Sequence, residues 1–284
     1  MTTISDNSNN QYIKNVAITA VGVAAGWEGQ TYIAKASRYP VGKYLGSNFA
    51  AVSGGGFKSY VETALNQNNL KDKLEIIDLN VSNASDVWKK LKFKTPKNPK
   101  LTKFIKHILR VPSNNVVFER TLSGQNAFFA PKANAVVCNF DKFGAPVFHE
   151  IQHKLNHLSS NIFIKSLVKL KHPLAMFGPL IVSSVALFTD KKQNGEKQGI
   201  ADKIKNNCGS IAFICMLPHT IEEFIANIKG TSIAKNAGVG AEMLKKVKGA
   251  HRISMISYAA GALITAFSVW CGNKIRDKIC EYKK

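Results

Sequence analysis

The segment His149-Glu150-Ile151-Gln152-His153 combines residue types and spacing that could do chemistry. On a helix, residues i and i+4 lie on one face, so the imidazoles of His149 and His153 can bind one metal ion. Glu150 follows the first histidine and can reach a metal-bound water as a general base. The HExxH pattern therefore predicts a catalytic zinc site with one ion per chain.

A helix is predicted around this motif. Gly144-Ala145-Pro146 precedes it, and proline is favoured in the first turn of a helix. Apolar residues then recur at spacings of three and four, which predicts a buried face. They are Val147, Phe148, Ile151, Leu155 and Leu158.

A catalytic zinc needs a third protein ligand and an open position for water. His157 lies a further four residues along, but three ligands on one straight helix would span roughly 12 Å, so we expect His157 at the surface. The metzincin pattern HExxHxxGxxH is excluded, because Asn156 and Ser159 stand where it requires glycine and histidine. The remaining class of HExxH proteins takes a glutamate from a second helix.

The segment Glu222–Gly230 (EEFIANIKG) resembles the E-[FY]-x-A-D-x-x-G signature of the HtpX/CAAX-prenyl-protease family of membrane-embedded gluzincins. In that family HExxH precedes a hydrophobic hairpin and then a glutamate, and this chain has the same order. The resemblance implies that Glu223 is the third zinc ligand and leaves Glu222 without a role. Asn227 stands at the family's aspartate position, where it can hydrogen-bond a ligating histidine without a carboxylate's charge.

The chain before HEIQH also resembles the family. Asn126-Ala127-Phe128 matches its N-A-F strand start, and residues 134–139 (NAVVCN) fall where the family has an edge strand over the cleft. Such a strand would hold a substrate backbone by β-addition. The residues implied in substrate binding are Asn134, Ala135, Val136 and Val137. Ordinary sheet is the alternative for both segments.

Ala250-His251-Arg252-Ile253 is a fainter match, to the late H-P…R-I element of the family, without its proline and its spacing. The resemblance implies that Arg252 stabilises the transition state. Alternatively, Arg252 anchors the last apolar helix at a membrane interface. The resemblance as a whole covers roughly residues 126–253.

Three apolar stretches lie in the C-terminal half, at residues 173–188, 208–221 and 253–272. Only the last has the roughly 20 residues that a membrane span requires. The first two could form a hairpin that enters the membrane or packs in a core, and the five lysines between them disfavour export of their loop. We predict membrane association, integral or tight, with the zinc site facing the cytosol and the number of spans undecided.

The chain has 39 Lys+Arg and 18 Asp+Glu, a net charge of +21, which indicates an anionic partner. Nine of the 22 residues in 89–110 are basic, and apolar residues after Pro99 recur at helical spacing. This pattern predicts a basic amphipathic helix on an anionic lipid surface or on a protein core. No zinc finger or RNP-like motif occurs, so nucleic acid is not expected as a partner. Five cysteines without a CxxC pair favour reduced thiols and a cytosol-facing compartment.

The expected fold is mainly α with a small β-sheet (α+β), a zincin-like metallopeptidase core with membrane-associated helices. The strands are expected at 116–119, 126–129 and 134–139. The expected regions are a disordered N-terminus (1–13), a helical basic region (14–110), the zincin-like core (111–252) containing the hydrophobic hairpin (173–221), and a C-terminal hydrophobic helix with a basic tail (253–284).

These features favour a membrane-associated zinc metalloendopeptidase that hydrolyses peptide bonds with a zinc-activated water and Glu150 as general base. Its polypeptide substrates would be membrane or membrane-proximal proteins. Two alternatives remain open. One is a non-catalytic zinc-binding membrane protein of the same fold, and the other is a basic membrane-surface binding protein in which HEIQH is incidental.

Overall fold

The computed structural model describes residues 56–91, 114–124, 126–190 and 197–281. The described chain is mainly helical with a small sheet. Its elements are α1 (Gly56–Gln67), β1 (Glu75–Asp78), α2 (Ala84–Lys90), α3 (Asn114–Leu122), β2 (Phe128–Ala130), β3 (Ala135–Cys138), α4 (Phe140–Phe143), α5 (Val147–Leu158), α6 (Ile162–Phe188), α7 (Ile200–Asn206), α8 (Cys208–Asn236) and α9 (Ala241–Glu281). The predicted disordered N-terminus (1–13) and most of the basic segment 89–110 lie outside the described residues.

The three strands form one mixed sheet in the order β1-β3-β2. β3 is parallel to β1, with Ile76 opposite Val136, and antiparallel to β2, with Phe129 opposite Val136. The prediction of a small sheet is confirmed, but β1 was not expected in it. Parallel pairing joins residues that are distant in the chain, so a local pattern of the sequence does not predict it.

Residues 116–119 were expected to form a strand, and this prediction is wrong, because they lie in α3. The run Val116-Val117-Phe118 favours a strand by propensity, but packing decides for the helix. Phe118 and Thr121, three residues apart, share the buried face of α3. The Phe118 ring packs edge-to-face on Trp88, with 5.1 Å between ring centroids.

The expected edge strand at 134–139 is also corrected. β3 lies in the centre of the sheet and pairs with a strand on each side, so it has no free edge for a substrate backbone. Its residues Ala135 to Cys138 are fully buried. The outer strand next to α5 is β2, in the part of the chain that the structure describes.

The described residues divide into two compact units, to which α6, α8 and α9 each contribute. The described residues within 56–168 and 221–257 form the first, which we call the HExxH unit. The described residues within 169–220 and 258–281 form the second, which we call the apolar unit. The core of the HExxH unit joins α1, the sheet, α5 and the second half of α8, and its largest members include Phe57, Leu70, Val136, Phe148, Ile151 and Ile233.

Three helices of the described chain are long and apolar enough to cross a membrane: Ile162–Phe188, Cys208–Asn236 and Ala241–Lys278. The first two have 27 and 29 residues, longer than the uncharged stretches within them, because polar residues extend each helix at one end. α6 and α8 pack as a hairpin in the apolar unit, where Val182 and Ala186 meet Cys208 and Ala212.

A buried polar cluster ties α7 to the ends of α6 and α9 in the apolar unit. Lys205, 2% exposed, donates to the Ala186 carbonyl (3.1 Å), to Asn273 Oδ1 (2.7 Å) and to Asp277 Oδ1 (2.7 Å). Burial lowers the pKa of Lys205, and the Asp277 carboxylate opposes that shift. Arg276 also donates to Asp277 (3.1 Å), so this carboxylate has two cationic partners.

Replacing Lys205 with methionine should lower the free energy of unfolding by about 1–3 kcal/mol, because Asn273 Oδ1 and the Ala186 carbonyl lose a buried donor. Asp277 keeps Arg276, which limits the loss. Thermal unfolding in detergent measures the effect, with Lys203→Met, an exposed lysine of the same helix, as control. Equal stability of the two variants would contradict a stabilising role for Lys205.

Candidate metal centre

The HEIQH segment lies in α5, as predicted. Pro146 is the N-cap residue, and Val147, Phe148 and Ile151 are fully buried against the core of the HExxH unit. The apolar face ends earlier than the sequence suggested, since Leu158 is 52% exposed. This packing fixes the rotation of α5 and with it the direction in which the motif's polar side chains point.

Three ligand atoms converge between α5 and α8. His149 Nε2 lies 2.9 Å from His153 Nε2 and 3.2 Å from Glu223 Oε2, and His153 Nε2 lies 3.6 Å from the same oxygen. Tetrahedral ligands at about 2.0–2.1 Å from a zinc ion are about 3.3 Å apart. All three residues are buried, and their atoms could hold one metal ion.

Asn227 orients His149. The His149 Nδ1–H donates to Asn227 Oδ1 at 3.0 Å, which leaves Nε2 for a metal. Asn227 Nδ2 donates to the Glu223 carbonyl at 2.9 Å, and this bond determines which way the amide faces. The hydrogen bond between Asn227 and a histidine of the motif, which the resemblance implied, is therefore present.

Glu222 orients His153 in the same way. His153 Nδ1–H donates to Glu222 Oε1 at 2.8 Å, and Glu222 is fully buried. Burial lowers the pKa of His153, but hydrogen bonds to Glu222 and Glu223 outweigh this and raise the pKa to about 10. In the metal-free chain His153 therefore stays protonated at neutral pH, and a metal ion must displace its Nε2 proton.

Glu150 lies beside the three ligand atoms without joining them. Its Oε2 accepts a hydrogen bond from the Phe129 backbone N–H of β2 at 2.8 Å, and its Oε1 is 4.0 Å from His149 Nε2. Burial raises the pKa of Glu150, and His149 and His153 oppose this shift. A carboxyl group with a raised pKa and a fixed position is suited to taking and returning a proton.

Gly230 allows α8 to approach α5 at the site. A Cβ atom at this position would lie 2.9 Å from the Phe148 carbonyl oxygen and 3.0 Å from His149 N and Cα. Gly230 follows Glu223 by seven residues, two helical turns, so both lie on the face of α8 that contacts α5. This glycine belongs to the segment that carries the family resemblance. The close approach of the α5 backbone explains why a residue without a side chain stands at this position.

The structure does not bring every candidate residue to the ligand atoms. Asn134 accepts a hydrogen bond from Lys154 Nζ at 2.7 Å, and Ala135, Val136 and Val137 are buried in β3. Arg252 is exposed. His157 is exposed too, as expected, and its ring contacts Phe129.

His251, next to Arg252, is the residue of that segment that lies near the site. Its ring centroid is 5.9 Å from that of His149, and its Nδ1 lies 2.7 Å from Thr231 Oγ1. Thr231 donates its own hydroxyl proton to the Asn227 carbonyl, so His251 Nδ1 is the donor to Thr231. His251 Nε2 is buried and has no hydrogen-bond partner among the described residues.

The sequence reasoning missed the positions of Glu222 and His251. A signal for Glu222 was available, because Glu222 and Glu223 are the only acidic residues in the 29-residue, largely apolar α8. A carboxylate in such a helix is costly unless it has a partner. The sequence therefore indicates that both acids need a partner, although it does not say which residues these partners are.

Comparison of the chain with protein-family models, with curated proteins and with solved structures found no match. The resemblance to the HtpX/CAAX-prenyl-protease family therefore depends on the motifs quoted above.

Proposed function

We propose that the chain is a membrane-associated zinc metalloendopeptidase of the gluzincin type. The observation that carries the proposal is the convergence of His149, His153 and Glu223 on one point, with the Glu150 carboxylate beside it. The resemblance of the HEIQH and EEFIAN segments to the HtpX/CAAX-prenyl-protease family supports the same function, and with it a zincin-like core.

The donor set favours zinc. Two imidazole nitrogens and one carboxylate oxygen form the ligand set of gluzincin zinc sites, and they leave a coordination position open. Magnesium and calcium prefer sites made of oxygen atoms. Ferrous iron also uses two histidines and a carboxylate, so the metal has to be identified as well as counted.

The residues of the site have distinct roles in peptide hydrolysis. Bound zinc would polarise a peptide carbonyl and make a water molecule more acidic. Glu150 takes a proton from the attacking water and returns it to the leaving amine. The Phe129 N–H holds the Glu150 carboxylate in place for both transfers.

The substrate strand is assigned to β2 in place of β3. β2 is an outer strand among the described strands, and its Phe129 N–H donates to the Glu150 carboxylate on α5. We assign the substrate to the unpaired side of β2. A peptide that paired with this side of β2 would pass next to the general base. We therefore still propose that a substrate binds by β-addition, but on β2 and not on β3.

The membrane is the proposed location, and membrane or membrane-proximal polypeptides are the proposed substrates. Glu223 lies on α8, one of the three helices that are long and apolar enough to cross a membrane. The excess of basic residues suits the anionic cytosolic leaflet. Cysteines 138, 208, 215 and 271 are free, which agrees with a zinc site on the cytosolic side.

Metal analysis of the purified protein in detergent tests the proposal. We expect about one zinc per chain in the wild type and loss of that zinc in Glu223→Ala. Glu62→Ala, which removes an exposed glutamate from α1, is the matched control and should keep the zinc. Absence of stoichiometric metal in the wild type would overturn the proposal and favour the basic membrane-surface binding protein.

Turnover separates the two zinc-binding alternatives. The metallopeptidase and the non-catalytic zinc-binding protein both predict bound zinc, but only the former predicts cleavage of polypeptides by the purified wild type. Cleavage that a zinc chelator abolishes and added zinc restores would support the enzyme. Stoichiometric zinc without cleavage of any membrane-proximal polypeptide would favour the non-catalytic protein.

A further inference from the structure

We propose that Glu222 is a positioning residue of the metal centre, whose carboxylate acts on the proposed ligand His153 by accepting a hydrogen bond from its Nδ1–H. This inference rests on the proposed function, because it concerns the same zinc site. It assigns a role to a residue that neither the HExxH motif nor the resemblance accounts for.

The contacts of Glu222 show what its carboxylate does. Its Oε1 accepts two hydrogen bonds, from His153 Nδ1 (2.8 Å) and from Asn156 Nδ2 (2.9 Å). A carboxylate bound to Nδ1–H fixes the tautomer and the ring plane of a histidine and makes its Nε2 a stronger metal ligand. The second donor holds the carboxylate oxygen in position while the histidine binds the metal.

A polar relay on α5 supports this arrangement. Gln152 Nε2 donates to Asn156 Oδ1 at 2.7 Å, and Asn156 in turn donates to Glu222. Gln152 and Asn156 are four residues apart on α5, and both are buried. Neither residue is a metal ligand, so their burial at this place is explained by the fixed position they give to Glu222.

The two histidines have different hydrogen-bond acceptors at Nδ1. His149 donates to the neutral amide of Asn227, whereas His153 donates to a carboxylate. An aspartate at 227 would turn an acceptor oxygen towards the Glu223 carbonyl, where Asn227 Nδ2 now donates at 2.9 Å. The geometry at 227 therefore favours asparagine, and the charge that strengthens a ligand comes from 222.

Zinc affinity of Glu222→Gln in the full chain, measured in detergent by competition with a chelator, tests the inference. Removal of a carboxylate that is hydrogen-bonded to a ligating histidine typically weakens metal binding about 10–100-fold. We expect the zinc affinity of Glu222→Gln to fall by this factor. Glu242→Gln, which changes an exposed glutamate of α9, is the matched control and should bind zinc as the wild type does.

Substitution with cobalt gives a readout that a merely structural role would not move. At saturating Co²⁺, Glu222→Gln should retain tetrahedral d–d bands at shifted energies, because His153 is a weaker ligand without the charge. Asn156→Ala keeps the carboxylate and removes only its second donor, so its zinc affinity should fall between those of the wild type and Glu222→Gln. This second variant also tests the arrangement if Glu222→Gln does not fold.

The failures of the two proposals are distinguishable. A wild type without stoichiometric zinc would overturn the proposed function, and this inference with it. A wild type that binds zinc, with Glu222→Gln and Asn156→Ala both within twofold of its affinity and with unchanged cobalt spectra, would overturn the role of Glu222 alone.

Discussion

Replacing Glu150 with glutamine should lower kcat for peptide hydrolysis by about 10²–10⁴-fold without changing the zinc content. A general acid–base group contributes a factor of this size, and glutamine cannot take a proton at neutral pH. The amide oxygen of glutamine can still accept the Phe129 N–H, so the local structure should persist. Because Glu150 is not among the three residues that could hold a metal ion, metal binding should be retained.

Steady-state cleavage of an unfolded polypeptide in detergent measures this effect, with zinc content determined on the same samples. Glu62→Gln, at an exposed position of α1, controls for the loss of a negative charge. A Glu150→Gln variant with wild-type turnover would exclude Glu150 from the reaction. Loss of zinc together with activity would instead show that Glu150 is needed to form the site.

Replacing Gly230 with alanine should lower the free energy of unfolding by about 1–3 kcal/mol, the usual cost of overpacking, and should weaken zinc binding. The new methyl group would meet the Phe148 carbonyl at 2.9 Å and the His149 backbone at 3.0 Å. These are backbone atoms of α5, the helix that carries His149 and His153. Relief of the contact requires α8 to move away from α5, and Glu223 moves with it.

Gly249→Ala is the matched control for this variant. Gly249 lies inside α9, and a Cβ atom there would have no neighbour within 4 Å. Alanine in place of glycine in an open helix position stabilises by roughly 0.5–1 kcal/mol, so the two alanine variants should shift thermal unfolding in opposite directions. Equal shifts, with unchanged zinc affinity in Gly230→Ala, would contradict close packing of α8 on α5.

The local part of the site could be predicted from the sequence. The relation between His149 and His153 follows from a spacing of four residues within one helix, and the buried face of α5 follows from its apolar period. The convergence of Glu223 on the same point is a contact between distant segments, and only the resemblance of EEFIAN to a known signature suggested it. The same resemblance placed Asn227 behind a histidine.

What the sequence did not predict depends on long-range packing. Whether β3 lies at an edge or in the centre depends on β1, which joins it from about 60 residues earlier in the chain. The run at 116–119 has strand propensity but lies in α3, where Phe118 is buried and contacts Trp88. The contact between Glu222 and His153 could not be predicted, because it depends on how α8 is rotated about its axis against α5. Neighbouring residues on a helix point in different directions, so a role for Glu223 does not imply one for Glu222.

The order of the site along the chain has a consequence for biosynthesis. His153 and Glu222 are separated by 69 residues, and that interval contains α6, α7 and the start of α8. At roughly 5–20 residues per second, a ribosome needs several seconds to synthesise it. A nascent chain that ends before residue 222 has the HEIQH segment but lacks Glu222 and Glu223, the two α8 carboxylates that contact the histidines. The proposed hydrolase is therefore unable to cut its surroundings until its own apolar hairpin has been synthesised.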